Sequence, residues 1–488
     1  MKLRDRWIRY GLIITLLLLH IGLHNLAGFS FPVPWNDDAT FIWPSIAFSQ
    51  TGSIFTPVMN ASRMILIMPP GYMVVTGLIL KITGFTYAIG RAVSLFYLLL
   101  FFILFISLLR RNGFGNGYLL LACLFLLHPQ FILAGNLGRM DTLMLLSVIA
   151  GYWLFYNRWY FAGLGMVGCS LLFHPNGIYY LAGLFLYACI HKDSREALLA
   201  FKPRWGEWFI VGGVILSWLG YFYLIGTHWN EFQMDMAMQF RRKLGYSQIP
   251  TLLKIQNYLV AAVCLFWIIY FGIRKKENGF LLALGIPGFL ACTIGQEIWY
   301  GIHIVLFYLI LTLLLVKSGL NWIFLHQDKF KNVQGIYLKI LLVLILLAVN
   351  IRVEAVVPPW KYATGYNWLG MKIPSMSPYI TTEEISRVKE FIYQYHQSHP
   401  EASICFLFSG DSLFFADLEK EGIKIRQFFE SPVTADLVID HQTRLRPPWI
   451  EKDLRKDLQR FNSYLSPEKT VIYQRNPTNI WYYRVAVQ

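Results

Sequence analysis

Charged residues are scarce in this sequence: they make up 15% of the 488 residues, whereas 56% are hydrophobic and 17% are aromatic. Soluble globular domains carry about 25% charged residues, so the composition excludes an ordinary soluble protein. Apolar stretches close to the ~20 residues needed to cross a bilayer recur from the N-terminus to about residue 354. The chain is therefore predicted to be a multi-spanning integral membrane protein.

Several chemical signatures are also missing. Five of the six cysteines lie in apolar stretches and Cys405 stands alone near the C-terminus, so no disulfide framework is indicated. There is no Cys/His spacing of a metal site, no glycine-rich phosphate loop, no zinc helix motif and no nucleophile elbow, and soluble nucleotide chemistry therefore has no support. We predict no cofactor, and we leave a divalent metal open.

The chain divides into a membrane region, 1–354, and a C-terminal domain, 355–488. The basic start, Met1–Arg9, precedes an apolar body without a small-residue cleavage site, so we expect a retained first helix. About eleven crossings are predicted, at 8–28, 91–109, 117–135, 140–156, 159–173, 176–190, 207–227, 257–273, 279–296, 299–317 and 335–354.

The net charge of +15 is best explained by topology rather than by nucleic-acid binding. With the N-terminus in the cytoplasm, most of the basic loops between the crossings also fall on the cytoplasmic side. This holds only if the apolar stretch 64–84 does not cross, and its Pro69-Pro70-Gly71 start suits a helix along the external interface. Residues 29–90, the loop 228–256 and the C-terminal domain are then extracytoplasmic.

The C-terminal domain is predicted to be a small α/β domain. Thr381 and Glu384 form a capping-box pattern before a helix that reaches about Gln397. A second helix is predicted over Trp449–Tyr464, and the absence of a catalytic cluster favours an accessory role over an active site. Strands are predicted at Ile404–Phe408, Ile423–Phe428, Ala435–Ile439, Thr470–Tyr473 and Trp481–Val487.

Two adjacent carboxylates, Asp37 and Asp38, follow the first predicted crossing and precede the aromatic-rich stretch Phe41–Phe48. One alternative is that one of them caps the following helix, for which Asp is a preferred residue. The other is that one carboxylate caps and orients while its neighbour points into a cavity as a general base for an acceptor hydroxyl.

Further ionisable residues lie on the predicted external side. Arg139 and Asp141 stand at the mouth of a crossing, where they are either a local ion pair or helix cap, or part of a site. A basic cluster in the loop 228–256 is suited either to a phosphate or to lipid headgroups. The candidates for donor-phosphate binding are Arg91, Arg139, Arg241, Arg242 and Lys243. The candidates for the substrate pocket are Arg63, His174, Tyr300 and His303, although such histidines are often structural and Tyr300 also suits an aromatic belt.

Several short motifs occur in order along roughly residues 1–320. They are Asn36-Asp37-Asp38-Ala39, Met68-Pro69-Pro70-Gly71-Tyr72, Thr83-Gly84-Phe85 with Gly90-Arg91, and Gly138-Arg139-Met140-Asp141. In this arrangement the chain resembles the GT-C glycosyltransferases, and most of all the protein O-mannosyltransferase and lipid A aminoarabinose transferase type. The acidic pair is Asp-Asp where that family often has Asp-Glu, so the resemblance leaves open which of the two is the base.

The resemblance implies a polyprenyl-phosphate-linked sugar donor and an active site at the extracytoplasmic membrane surface. It makes Asp37 the expected base and Asp141 a second acidic residue of the pocket. We expect a single-step inverting transfer without an obligatory metal, to a hydroxyl of a lipid, glycan or protein. The expected location is the plasma (inner) membrane of a bacterium, where membrane lipids are further partners.

Three other readings remain open. A transporter or flippase of a lipid-linked or anionic substrate would also be polytopic, but it tends to have midplane ionisable groups and internal repeats, and the sequence shows neither. A polysaccharide polymerase or ligase would use external Arg and His more than an acidic pair. A structural scaffold leaves the clustering of acidic and basic residues on one side unexplained.

Overall fold

The computed structural model describes most of the chain. The described residues are 36–59, 63–124, 138–201, 203–244, 276–295, 301–325, 380–427, 435–441, 463–477 and 479–487, with isolated positions within 11–21 and 131–135 and at 459. The predicted crossings at 257–273 and 335–354 lie outside them. So do most of the crossing at 8–28 and most of the predicted helix Trp449–Tyr464.

The described part of the membrane region is helical. Its helices are α1 (Asn36–Thr51), α2 (Gly71–Thr83), α3 (Tyr87–Arg111), α4 (Asn116–Leu124), α5 (Asp141–Tyr156), α6 (Tyr160–Cys169), α7 (Gly177–Ile190), α8 (Lys192–Leu199), α9 (Trp205–Thr227), α10 (Trp229–Leu244), α11 (Lys276–Gly295) and α12 (Gly301–Leu325). Seven of them, α3, α5, α6, α7, α9, α11 and α12, match predicted crossings within a few residues at most ends. Two, α8 and α10, lie in segments that the sequence indicated only as loops.

Two helices among the described residues, α3 and α9, are long and apolar enough to cross a membrane by length and composition. The faces of α9 are largely uncovered by protein: Phe209 and Leu216 are each 70% exposed. Contiguous apolar surface of this size is unfavourable in water and favourable in lipid. These two helices and the shorter apolar helices beside them supply the apolar surface that an integral membrane protein needs. The number of crossings stays a prediction.

The Pro69-Pro70-Gly71 motif marks a helix start, as predicted. Pro70 is the N-cap residue of α2, where proline's missing N–H costs nothing because the first amides of a helix have no partner within it. Gly71 lies so close to the end of α6 that a Cβ atom would stand 2.5 Å from the Leu172 carbonyl oxygen. The glycine therefore lets α2 pack against the bundle.

The two ends of α3 have different surroundings. At its C-terminal end, Arg111 contacts Asn157 and the Trp153 ring, and Lys317 donates to the Asn112 carbonyl oxygen at 3.2 Å. Its N-terminal end, which carries Arg91, meets α1 and the C-terminal domain instead. A 25-residue helix is about 37 Å long, so these two polar ends can lie at opposite surfaces of a bilayer.

The C-terminal domain is a small α/β domain. Helix α13 (Thr382–Ser398) begins with the predicted capping box, in which Thr381 Oγ1 accepts from the Glu384 amide and Glu384 accepts from the Thr381 amide at 2.7 Å. The strands are β1 (Ser403–Phe406), β2 (Lys424–Gln427), β3 (Leu437–His441), β4 (Thr470–Asn476) and β5 (Asn479–Val485). Their order in the sheet is β2-β1-β3-β5-β4, with β1 parallel to β2 and β3, and β5 antiparallel to β3 and β4.

A segment of 3-10 helix, Ser409–Glu421, joins β1 to β2 and packs on the membrane region. We call it the docking segment. Its Ser412 hydroxyl accepts from the Trp43 indole N–H at 2.8 Å, and its Phe414 ring lies 4.6 Å from the Tyr87 ring, centroid to centroid. Apolar residues of α1 and of the sheet share one buried cluster, so the two regions pack as parts of one core.

Candidate functional site

Asp38, in the first turns of α1, reaches across to the turn that precedes α5. Its Oδ1 accepts a hydrogen bond of 2.6 Å from the Gly138 amide, and the residue is only 2% exposed. Helix α1 begins at Asn36, so Asp38 lies inside the helix and its carboxylate joins positions 100 residues apart. This is a tertiary contact, which the capping alternative does not by itself explain.

Arg91, in the second turn of α3, faces the same carboxylate. Its guanidinium Nη2 lies 4.0 Å from Asp38 Oδ2, and its Cζ lies 4.7 Å from the centroid of the Tyr87 ring. The residue is 2% exposed, and among the described residues neither Nη1 nor Nη2 has a hydrogen-bond partner. Because a buried cation without hydrogen bonds is costly, this arrangement favours an anionic ligand beside Arg91.

A small cavity lies next to these two residues. Its lining is Asp38, Ile42, Phe85, Tyr87, Gly90, Arg91, Gly138 and Leu413. One wall thus carries a carboxylate and a guanidinium, while the others are aromatic or aliphatic. The volume of the cavity is about 10 Å³, the space of a single water molecule, so the cavity marks where these buried polar groups meet and not the room for a whole substrate.

A second polar cluster lies immediately after Gly138. Arg139 Nε is 3.2 Å from Asp141 Oδ2, and His303 Nε2 is 3.4 Å from the other oxygen of that carboxylate. The Tyr180 hydroxyl lies 3.1 Å from His303 Nδ1. With Nε2–H donating to the carboxylate, Nδ1 accepts the hydrogen bond from the tyrosine hydroxyl, so Asp141, His303 and Tyr180 form a continuous buried chain.

The Arg139–Asp141 contact is the local ion pair that the sequence offered as one alternative. It is buried at both ends, with Arg139 5% and Asp141 3% exposed. A pair of this kind is retained only where hydrogen bonds satisfy both partners, and His303 contributes to that. His174 is also buried, and its Nδ1 accepts from the Asn176 amide at 3.0 Å.

Arg63 lies in a separate ion pair. Its Nη2 is 2.8 Å from Asp235 Oδ1 in α10, and the second oxygen of Asp235 accepts from the Leu66 amide. These contacts hold α10 against the segment that leads into α2. The side chains of the predicted basic cluster at the end of α10, Arg241, Arg242 and Lys243, lie outside the described residues, as do Tyr300 and the side chain of Asp37.

Several residues of these clusters were not among the predicted site residues, and Tyr180 and Leu413 show why. Tyr180 lies in an apolar stretch, where a tyrosine has no sequence feature that separates it from a packing residue. Leu413 lies in the C-terminal domain, 275 or more positions along the chain from the other residues of the cavity. Among the described residues, no group of three or more His, Cys, Asp or Glu side chains could hold a metal ion.

The fold of the chain is similar to that of a solved structure. The chain matches the crystal structure of ArnT from Cupriavidus metallidurans bound to undecaprenyl phosphate, with a TM-score of 0.52, 14% identity, and coverage of 97% of this chain and 98% of that one. The GT-C resemblance indicated by the sequence motifs is therefore confirmed at the level of the fold. At this identity the match establishes the fold alone.

Two further solved structures match with TM-scores below 0.5, and no argument rests on them. ArnT from the same organism in the apo state has a score of 0.47 and 13% identity, over 96% of this chain and 97% of that one. The archaeal oligosaccharyltransferase AglB from Archaeoglobus fulgidus, in complex with an inhibitory peptide and a dolichol-phosphate, has a score of 0.45 and 11% identity, over 90% and 70%. No family model and no curated protein matches the sequence.

Proposed function

We propose that the chain is a membrane glycosyltransferase that moves a sugar from a polyprenyl-phosphate carrier to an acceptor hydroxyl in one inverting step. The observation that carries the proposal is Arg91: a buried guanidinium whose terminal nitrogens have no hydrogen-bond partner among the described residues, beside a carboxylate in a small cavity. The fold is shared with an enzyme crystallised with undecaprenyl phosphate, which makes a lipid phosphate the first anion to test.

In the proposed reaction, the acceptor oxygen attacks the anomeric carbon of the donor sugar from the face opposite the phosphate. A new carbon–oxygen bond forms while the bond to the phosphate oxygen breaks, and the electron pair leaves with the phosphate. The hydroxyl proton passes to a carboxylate. A positioned base and a cation at the departing phosphate are the two groups that lower the barrier of such a displacement.

We assign the base to Asp37 and an orienting role to Asp38. The Asp38 carboxylate already accepts the Gly138 amide hydrogen and faces Arg91. Both contacts stabilise its charged form and make it a poorer proton acceptor. Its neighbour Asp37 lies in the same first turn of α1, and we assign the proton transfer to it.

Arg91 is assigned to the donor phosphate. Hydrogen bonds between a guanidinium and a phosphate are short, strong and bidentate, so one ligand could satisfy both terminal nitrogens. In the second cluster, Arg139 and Asp141 follow Gly138 directly in the chain, and we assign this cluster to holding the turn that carries Gly138. The basic side chains 241–243 are proposed to hold the carrier phosphate as it approaches.

The membrane setting suits this chemistry because both the donor and the released phosphate stay attached to a lipid. A site at the bilayer surface can open sideways to lipid and outward to the acceptor. The gathering of Arg111 and Lys317 at the far end of α3 supports an extracytoplasmic site, since Lys and Arg prefer the cytoplasmic side.

The deciding experiment measures two quantities with the purified full-length protein in nanodiscs. The first is the affinity for undecaprenyl phosphate, and the second is the release of that lipid phosphate from a panel of polyprenyl-phosphate sugars. Replacing Arg91 with Ala is expected to weaken lipid-phosphate binding by about 10- to 100-fold, because hydrogen bonds to a charged group contribute ~1.5–3 kcal/mol. Asp37→Asn is expected to leave binding intact and to lower release at least ~100-fold.

The matched control for Arg91 is Arg111→Ala, which removes the same side chain from the other end of α3 and is expected to change neither quantity. Asp38→Asn keeps the acceptor oxygen for the Gly138 amide. Release of the lipid phosphate by this variant should therefore fall less than release by Asp37→Asn. A larger fall would move the base to Asp38. Binding without release from any donor, with candidate acceptors supplied, would favour the transporter alternative.

A further inference from the structure

A second and much larger cavity lies at the other end of the helical bundle. Its volume is about 490 Å³, within the range of roughly 300–1,000 Å³ that ligand pockets occupy. The turn between α5 and α6 forms part of its wall. That turn adjoins the end of α3, because Arg111 contacts Asn157 and the Tyr156 hydroxyl donates to the Arg111 carbonyl oxygen at 2.7 Å. The second cavity is therefore at the end of α3 opposite Arg91.

The charged side chains that line the second cavity are two of each sign. They are Arg158, Asp193, Arg204 and Glu207. Sites for purely anionic lipids are built from basic residues alone. A lining whose charges cancel instead complements a ligand that carries both a negative and a positive group.

Glu207, in the first turn of α9, is the buried member of the four and is only 2% exposed. Its Oε2 accepts a hydrogen bond of 2.7 Å from the Arg204 amide, whereas Oε1 is buried and has no hydrogen-bond partner among the described residues. A buried carboxylate oxygen without a donor is costly. A ligand that brings N–H groups, such as a primary ammonium, would satisfy it.

Arg158 has a backbone conformation that favours glycine, with a φ of 65°. The Arg158 amide donates to the Phe155 carbonyl oxygen and the Trp159 amide to the Leu154 carbonyl oxygen, each at 3.0 Å. Glycine would form this helix end without steric cost, so the turn alone does not account for an arginine. The Arg158 side chain lines the second cavity, and a guanidinium is well suited to a phosphate.

Apolar side chains surround the charged lining. The Phe161 ring, which lines the second cavity, packs on the Phe201 ring with the centroids 5.3 Å apart. Phe201, Leu199 and Trp205 are largely exposed, and α9 continues from Trp205 with its apolar faces uncovered. Aromatic residues next to charged ones are typical of the level of the lipid headgroups. A headgroup in the cavity would thus place its acyl chains along α9.

We propose that the second cavity binds the headgroup of a membrane phospholipid that carries a phosphate and a primary amine. Arg158 and Arg204 hold the phosphate by charged hydrogen bonds. Glu207, together with Asp193, accepts hydrogen bonds from the ammonium group. This site is separate from the proposed transfer reaction, because it lies at the other end of the bundle from the candidate site.

Three phospholipids separate these contacts. Phosphatidylethanolamine carries both groups. Phosphatidylcholine has the same phosphate and the same net charge, but its quaternary ammonium has no N–H to donate to Glu207. Phosphatidylglycerol has the phosphate without an amine, and its net negative charge leaves the two carboxylates unmatched. Phosphatidylethanolamine is therefore expected to bind at least ~10-fold more tightly than either, because a buried charged acceptor stays unsatisfied with the other two.

The experiment measures the binding of these three lipids, with identical acyl chains, to the purified full-length protein in detergent by native mass spectrometry. Glu207→Gln keeps an acceptor oxygen for the Arg204 amide but loses the charge, and it is expected to lose most of the preference for phosphatidylethanolamine. Arg158→Gly is expected to weaken binding of all three lipids about fivefold, the effect of one basic side chain near a lipid phosphate. Its thermal unfolding temperature should not fall, because glycine relieves the turn.

Arg195→Ala is the matched control, because Arg195 is exposed on α8 and does not line the second cavity; it should bind like the wild type. Arg91→Ala should also keep the lipid preference, which separates this site from the proposed donor site. Equal affinity of the wild type for the three lipids, or an unchanged preference in Glu207→Gln, would overturn the proposal. Full competition by glycerophosphoethanolamine, which has no acyl chains, would show that the ligand is a soluble headgroup and not a lipid.

Discussion

Gly138 joins the two halves of the candidate site because it has no side chain. A Cβ atom at this position would lie 2.5 Å from Ile42 Cγ1 and 2.7 Å from Ile42 Cδ1, well inside van der Waals contact. The amide of the same residue donates to Asp38. Any side chain would have to push α1 away, and the hydrogen bond to Asp38 would lengthen with it.

Gly138→Ala is therefore expected to destabilise the protein by about 1–3 kcal/mol, the usual cost of overpacking, and to weaken binding of undecaprenyl phosphate. Thermal unfolding and lipid-phosphate titration of the full-length protein in detergent measure both. Gly168→Ala is the control, because nothing lies within 4 Å of the added atom in α6. Wild-type affinity in Gly138→Ala would show that the Asp38–Gly138 contact is not part of the site.

At the residue scale, the sequence singled out buried ionisable side chains but did not predict how they group. Asp38, Arg91, Asp141 and His303 stood out because ionisable groups are rare in apolar surroundings. Their grouping into one cluster around Asp38 and another around Asp141 depends on helix packing, which sequence spacing does not contain. Leu413 gives no signal at all, since one leucine among many in a folded domain looks like core.

The helices and strands were the most predictable level of the structure. Apolar stretches of suitable length became α3, α5, α7 and α9 because backbone groups in an apolar environment must bond within their own segment. The capping box and the alternating apolar runs indicated α13 and the strands. The docking segment was missed, because Ser409-Gly410-Asp411-Ser412 consists of residues that favour turns and reads as a loop.

The hydrogen bond between Trp43 and Ser412 ties the docking segment to α1, so Trp43→Phe is expected to loosen that segment. The lost hydrogen bond is worth about 0.5–1.5 kcal/mol, which predicts faster amide hydrogen exchange, by up to ~10-fold, within Ser409–Glu421 of the full-length protein.

Trp481→Phe is the matched control for this loss. It removes the same ring atoms at a fully buried position whose indole nitrogen has no partner among the described residues. Exchange in the docking segment that rises equally in both variants would point to lost packing and not to the hydrogen bond.

At the scale of the whole molecule, the contacts of the C-terminal domain fix which end of the helical bundle it covers. Phe414 packs on Tyr87 at the N-terminal end of α3, whereas Arg110 and Arg111 end that helix. We therefore expect the C-terminal domain and the acidic pair on the same side of the membrane, opposite those arginines. The positive-inside preference predicts that this side is extracytoplasmic.

Reporter fusions test this orientation. An alkaline phosphatase joined after Gln488, or after Gly84, is expected to be active, because that enzyme matures only outside the cytoplasm. A fluorescent protein that matures only in the cytoplasm should stay dark at the same positions and fluoresce after Asn112, the control at the opposite end of α3. The reverse pattern would place the candidate site in the cytoplasm and would contradict the proposed topology.

The contact between Trp43 and Ser412 joins positions 369 residues apart, and this has a consequence for the order in which the protein is made. At a synthesis rate of about 5–20 residues per second, Ser412 leaves the ribosome roughly 20–70 s after Trp43. Helices α1 and α3 are thus inserted while the pocket between them still lacks its Leu413 wall. The cavity beside Asp38 and Arg91 therefore acquires its last wall only once the C-terminal domain has folded onto the bundle.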